Sequence, residues 1–318
     1  MINIEADNVN GAYTEGMLYL MEEGIPEESR NGKVIVAPEP VCTTYYRPTE
    51  RVLFSPERDA NPFFHLMECL WMMDGRNDAE FLIYFNSRMG QYANDDGTFD
   101  GAYGHRWRNH FRFDQIAYIV ELLKRDPTTR RAVLTMFDPA FDLGTDSKDI
   151  PCNTQIYFDM RYNKLNMTVC NRSNDAVWGC YGANAVHFSF LQEVIAGMLY
   201  VVVGDYRQFS NNLHFYPNAP RMDIVLSQPF STDLYLKYGW KPYPVVTNPT
   251  EWFQDLTNFM DNPYVDRSNS FFYMVARPVL LAWKAYKEKH INEAISIAEN
   301  ISDPAWQHAC VAWLERRF

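Results

Sequence analysis

The sequence predicts an α/β fold of the α+β type, on three observations. Segments of period-two alternation recur, most clearly in the adjacent pair Gln155–Arg161 and Lys164–Cys170. Long apolar helices are interleaved with them, over Pro62–Asp74 and from about Ala185 to Leu199. The end of the chain, residues 271–318, is helical in pattern and forms the one candidate subdomain.

The elements follow in order. Gly11–Glu23 has helical apolar spacing through Tyr13, Met17, Leu18, Leu20 and Met21. Glu27–Lys33 reads as a turn, Val34–Ala37 and Val41–Tyr46 as strands, and Arg51–Phe54 as a further strand. Pro62–Asp74 carries Glu68 on an otherwise apolar face. A carboxylate there is either a paired core residue or a functional acid. Ala79–Arg88 is a second helix, and Asp95–Thr98 a turn. The knot Tyr103-Gly104-His105-Arg106-Trp107-Arg108 reads as a solvated turn with an anchoring tryptophan. Phe113–Arg125 is an amphipathic helix, Arg130-Arg131 precede the strand Ala132–Phe137, and Phe141–Lys148 is a polar loop. Asn248–Asp261 looks helical, with Asn248 as its N-cap. Arg277–Glu288, Ile291–Asn300 and Pro304–Arg317 read as three tail helices.

Composition narrows the function classes. The chain has 318 residues and a net charge of −11, which argues against a nucleic-acid surface but leaves room for a local basic pocket. No apolar run approaches a membrane span, and Met1–Glu5 lacks the charged and apolar regions of a secretory signal. The six cysteines, Cys42, Cys69, Cys152, Cys170, Cys180 and Cys310, lie far apart without a CxxC pair. That spacing fits a reduced cytoplasmic chain better than a disulfide framework or a zinc site.

The chemistry gathers between Ile150 and Tyr216. Pro151-Cys152, Arg172-Ser173-Asn174-Asp175, the turn Trp178–Asn184 and His214-Phe215-Tyr216 place a thiol, a guanidinium, a hydroxyl and an amide in one neighbourhood. Such a polar run between a strand and a buried helix suits an anionic small molecule held against a nucleophile. Cys42, Cys69, Cys170, Cys180 and Cys310 read as buried small hydrophobes, His187 as a satisfied core histidine, and the tail tryptophans as packing.

The ordered set Pro-Cys, Arg-Ser-x-Asp, Gly, Asn and His-x-Tyr resembles the thymidylate synthase and pyrimidine hydroxymethylase superfamily, over roughly Arg30 to Tyr216. The resemblance implies a large mixed β-sheet flanked by helices and a catalytic domain over 1–270, to which the helical pattern of 271–318 adds a C-terminal extension. It implies that Cys152 adds to C6 of a pyrimidine and that Arg172 lowers the pKa of that thiol. Arg30, Arg130, Arg131, Arg172 and Ser173 would hold the 5′-phosphate. Glu68 would run a proton relay at the base, Tyr103 would position water near C5, and Asn184, matched by allowing one inserted residue after Gly179, would read the base. His214 and Tyr216 would hold the sugar, while Asp175, Met89 and Trp71 would fall on the folate side. The co-substrate implied is 5,10-methylenetetrahydrofolate, with no metal. The assembly implied is a homodimer packed sheet to sheet, with Arg130 and Arg131 crossing into the neighbouring site.

Four departures from that pattern bear on the product. Asn153 follows the nucleophile where synthases have histidine, and Met89 stands where they carry a shielding tryptophan. The turn 178–184 lacks the usual Pro-Phe before Asn184, and the end reads Glu315-Arg316-Arg317-Phe318 instead of a short apolar tail. An exocyclic methylene intermediate takes hydride to become methyl, or water to become hydroxymethyl, and excluding water favours the first. Loss of the indole and of the ordinary lid therefore points to hydroxymethylation of dUMP, since an amide at 184 suits uracil. Modified pyrimidines are typical of viral DNA, which suggests a phage protein working in the host cytoplasm. The alternatives are a divergent thymidylate synthase, a dCMP or CMP hydroxymethylase, and a silent nucleotide- or RNA-binding regulator. Tritium release from C5-labelled dUMP separates enzyme from binder, and the product separates the enzymes.

Overall fold

The computed structural model describes all 318 residues. Its strands are β1 (Ile2–Ala6), β2 (Ile25–Ser29), β3 (Gly32–Val36), β4 (Val41–Tyr45), β5 (Val133–Thr135), β6 (Asn153–Arg161), β7 (Lys164–Asn171), β8 (Asn174–Asp175), β9 (Val202–Ser210) and β10 (Leu213–Phe215). Six of them form a mixed sheet in the order β1-β4-β9-β7-β6-β5, with β1–β4 and β7–β9 parallel and the other pairs antiparallel. The remaining four form a separate small sheet, β2-β3-β10-β8, beyond the single large sheet expected.

Helix Asn184–Met198 lies on β7 and β9, and helix Pro62–Met73 lies on that helix in turn. Sandwiched this way, Asn184–Met198 is buried nearly all round, which explains its mostly apolar sequence. Gln192 is one of its buried polar residues. Where the β7–β9 register shifts between Leu165 and Met167, the Gln192 amide donates to the carbonyls of Leu165 and Gly204. Helix Pro62–Met73 begins with Asn61 accepting from the Phe64 N–H and with Pro62 in its first turn. Every residue of this helix is buried except Glu68.

The tail helices Arg277–Lys287, Ile291–Ala298 and Pro304–Glu315 fall close to their expected bounds. They share the core of the rest of the chain: Phe63 lies 5.5 Å, centroid to centroid, from both Trp283 and Trp313. The tail tryptophans are therefore packing residues.

Several expectations need correction. Arg51–Phe54 is not a strand, because side chains take its backbone groups: the Val52 N–H donates to the Tyr235 hydroxyl and the Phe54 N–H to Asn10 Oδ1. The turn at Glu27–Lys33 is narrower, since β2 and β3 pair as a hairpin down to Ser29 and Gly32. Strand β9 had no hydrophobic signature because its inward residues are Gly204, Tyr206, Gln208 and Ser210. Asn248 is not an N-cap, for the helix starts at Trp252 and Asn248 is tied to Asn269 through its backbone. The knot at Tyr103–Arg108 is no solvated turn. Trp107 is fully buried, and Arg106 makes a buried two-bond pair with Asp142, both at 2.8 Å. Asp142 itself ends a short helix, Pro139–Asp142, which overlaps the start of the supposed polar loop. Cys69, Cys180 and Cys310 are buried, but Cys42 and Cys170 are half-buried.

Candidate active site

A cleft of about 210 Å3 opens between the segment leading into β6, helix Pro62–Met73 and the start of helix Asn184–Met198. Cys152, Glu68, Tyr103 and Asn184 all line it. So do Trp71, Leu82, Met89 and Phe99, which make one wall apolar.

Cys152 sits immediately before β6, in a loop clamped by Arg172. The Arg172 guanidinium donates to the carbonyls of Pro151 and Ile150 at 3.0 and 3.1 Å, and its backbone N–H donates to the Cys152 carbonyl. Burial pushes the Cys152 thiol above its ordinary value; Arg172 and Arg30 pull it down and Asp149 pushes it up. The expected lowering by the nearby guanidinium is present but outweighed, because desolvation penalises the thiolate more than the charges offset.

Glu68 is presented by the one non-buried position of its helix. Its Oε2 lies 3.0 Å from Nε2 of His187, without the alignment of a hydrogen bond, and neither atom has another partner. His187 is thus not a satisfied core histidine: it lines the cleft. Its position one turn beyond Asn184 was the available signal. Asn153, by contrast, is fully buried and gives its amide to Asn171, so the imidazole beside Glu68 comes from a different element.

Tyr103 stacks on Phe188 at 5.9 Å, and burial raises its phenol well above the usual range, partly offset by the Cys152 and Asn153 backbone N–H groups. Gly104 lets this turn lie against the Glu68 helix, since a Cβ there would stand 1.8 Å from the Met72 carbonyl oxygen.

Asn184 is the first residue of its helix, and its Nδ2 donates to Asn174 Oδ1 at 3.0 Å. Asn174 is held in turn by Gln208 and Ser210 of β9. This chain of amides fixes the orientation of Asn184 and leaves its Oδ1 as a free acceptor. The preceding segment, Ala176–Ala183, is π-helical with a kink at Gly182, the form in which a helix absorbs one inserted residue.

The small sheet assembles a second group. It brings the hairpin tip with Arg30 beside β8 and β10, which carry Asp175 and His214. His214 is bonded to Asn212 at 2.8 Å and packs edge-on against Tyr216, whose hydroxyl lies 3.5 Å from the Asn31 amide. Asp175 caps the π-helical segment by accepting from the N–H groups of Val177 and Trp178, and burial raises its carboxyl. Arg172 and Arg30 are exposed, and Ser173 is half-buried. Arg130 and Arg131 are exposed just before the edge strand β5 and do not line this cleft. Trp71 is buried, with its indole N–H on Asp78, and Met89 is half-buried on a short 3-10 turn. One cleft residue that the sequence did not single out is Asp149, three positions ahead of Cys152.

The model of the family described as Thymidylate synthase matches residues 12–232, and the chain belongs to that family. It is therefore a one-carbon transferase, from a family whose chemistry depends on folate. Relatives are similar over different extents. A protein of Pseudomonas phage M6 named deoxyuridylate hydroxymethyltransferase is 46% identical over 99% of this chain and 94% of its own length. A protein of the same name from Bacillus phage SP01 is 41% identical over 58% of this chain and 51% of its own. A thymidylate synthase of Francisella philomiragia is 27% identical over 48% of this chain and 60% of its own.

Proposed function

We propose that this enzyme transfers a one-carbon unit from 5,10-methylenetetrahydrofolate to C5 of dUMP and completes the reaction with water, giving 5-hydroxymethyl-dUMP and tetrahydrofolate. The convergence of Cys152, Glu68, Tyr103 and Asn184 on one cleft carries this reading. The near full-length likeness to the phage M6 protein supports the hydroxymethyl product.

In this reading Cys152 adds to C6, which turns C5 into an enolate-like carbon able to attack the one-carbon donor. Arg172 and Arg30, the two guanidinium groups that would grip the phosphate, are also the cations that pull the thiol toward thiolate. Asn184 presents a free acceptor to N3–H and a donor to O4, the match for uracil. Glu68, with His187 beside it, handles the proton at O4. Met89 is flexible and unbranched, so it walls the cleft less completely than an indole would, and water reaches the methylene intermediate.

Arg130 and Arg131 would complete the phosphate site of a second subunit. The large sheet supports such a dimer. Along β7 and β9 buried residues alternate with half-exposed ones, so one face is open. Parallel pairs such as β7–β9 are ordinarily covered on both faces. Residues 271–318 act in this reading as a buttress for the Glu68 helix.

The test is a mass spectrum of the nucleotide formed from dUMP and methylenetetrahydrofolate. A gain of CH2O without dihydrofolate is expected. A gain of CH2 with stoichiometric dihydrofolate would make the enzyme a thymidylate synthase.

A further inference from the structure

The cleft holds a second carboxylate that the reading above leaves without a task. Asp149 lines the same cavity as Glu68, Met89 and Cys152. Its Oδ2 accepts from the Gly101 N–H at 2.8 Å, while Oδ1 takes no hydrogen bond from the protein. Gly101 makes this seat possible, because a Cβ there would stand 2.7 Å from Oδ1. Asp149 forms no ion pair. The nearby cation, Arg106, is committed to Asp142. The ionisable groups facing Asp149 are Asp100, Glu68, Arg106, Tyr92, Tyr103 and Cys152. Burial pushes its carboxyl up to about 6; the Gly101 N–H opposes this, and Asp100 and Glu68 add to it. A carboxyl of that strength is mostly ionised at neutral pH yet more basic than an ordinary carboxylate, which suits it to accept a proton.

Beside a nucleophilic thiol such a carboxylate works against the first step, since its charge disfavours thiolate. Its use lies later. Once sulfur is bonded to C6 it carries no charge, the repulsion disappears, and Asp149 ionises more readily.

Resting on the hydroxymethylation reading, we propose that Asp149 is a catalytic carboxylate for the second half of the reaction: it holds the water that adds to the exocyclic methylene carbon and takes that water's proton. The water oxygen bonds to the methylene carbon, and the carbon–carbon π pair moves into the ring as an enolate on O4. The enolate then collapses, the C5–C6 double bond re-forms, and the C6–sulfur bond breaks to release Cys152 as thiolate. The proton on Asp149 returns to solvent. No oxidant or reductant enters.

The test compares wild type with Asp149→Asn in single turnovers on C5-tritiated dUMP with methylenetetrahydrofolate. Tritium release and hydroxymethyl product are read together, with 2-mercaptoethanol present to capture the methylene carbon. Asparagine keeps the shape and can still accept from Gly101. Tritium release is expected to stay near the wild-type rate, while hydroxymethyl product slows at least about 100-fold and the methylene is recovered as a thioether. Equal loss of both signals, or undiminished product, overturns the proposal. Thymidylate and dihydrofolate from the wild type would instead sink the parent reading, a distinct result. Should the variant fail to fold, the wild-type enzyme still decides the matter. Its product per tritium released should fall as pH drops below about 6, and a flat ratio refutes the role of Asp149.

Discussion

Asp149 and Cys152 each hold an ionisable group where burial makes its charge unwelcome, and that has a stability consequence for Asp149. Its folded carboxyl titrates at about 6, above the ordinary 3.8. The sign is that of a raised acid: the stabilising contribution is complete below about pH 4 and disappears as pH rises through about 6. Asparagine has no charge to bury. Asp149→Asn should therefore melt at a higher temperature than wild type above pH 6, with the difference closing toward pH 4, as read by thermal unfolding across that range. A variant less stable than wild type at pH 8 would show that the carboxylate is paid for by a contact the structure does not contain. Stability given up at a reacting group is a common exchange.

Helix Pro62–Met73 and the turn at Tyr103 form one device. The helix offers Glu68 at its single opening, and the turn reaches it only because Gly104 has no side chain. Gly104→Ala would set a methyl 1.8 Å from the Met72 carbonyl oxygen, so the turn must lift away. We expect a loss of about 1–3 kcal/mol in denaturant unfolding, as for an overpacked core. Turnover should fall further than that loss explains, because Tyr103 moves with the turn. Full activity in a stable Gly104→Ala protein would uncouple the turn from the site. The Arg106–Asp142 pair anchors the far end of the same turn, where it is buried and doubly hydrogen-bonded.

The molecule as a whole raises the question of subunits. Arg130 and Arg131 precede an edge strand and stand outside the cleft of their own chain, while one face of the large sheet lies open. If two chains share sites, mixing a Cys152→Ser protein with an Arg130→Ala/Arg131→Ala protein should rebuild one intact site per hybrid dimer. Activity should return to about a quarter of wild type after subunit exchange. Persistent inactivity, with dimers demonstrated by light scattering, would place both arginines outside the partner's site.

Much of this was legible in residue order. The apolar helices at 62 and 184, the strand pair on either side of residue 162, and the tail helices announce themselves through spacing, because each buries a continuous face. Cys152, Glu68, Tyr103 and Asn184 could be picked out as motifs. Other features had no linear signal. Strand β9 turns Gln208 and Ser210 inward because they hold Asn174, so its alternation runs against hydrophobicity. His187 reads from the sequence as a core residue, and nothing there singles out Asp149. Only the crossing of three separate segments sets one beside Glu68 and the other in the cleft with Cys152. Periodicity reports what a segment buries against its neighbours. Which charges end up facing one another is set by distances between segments far apart in the chain, and those exist only once the core has closed.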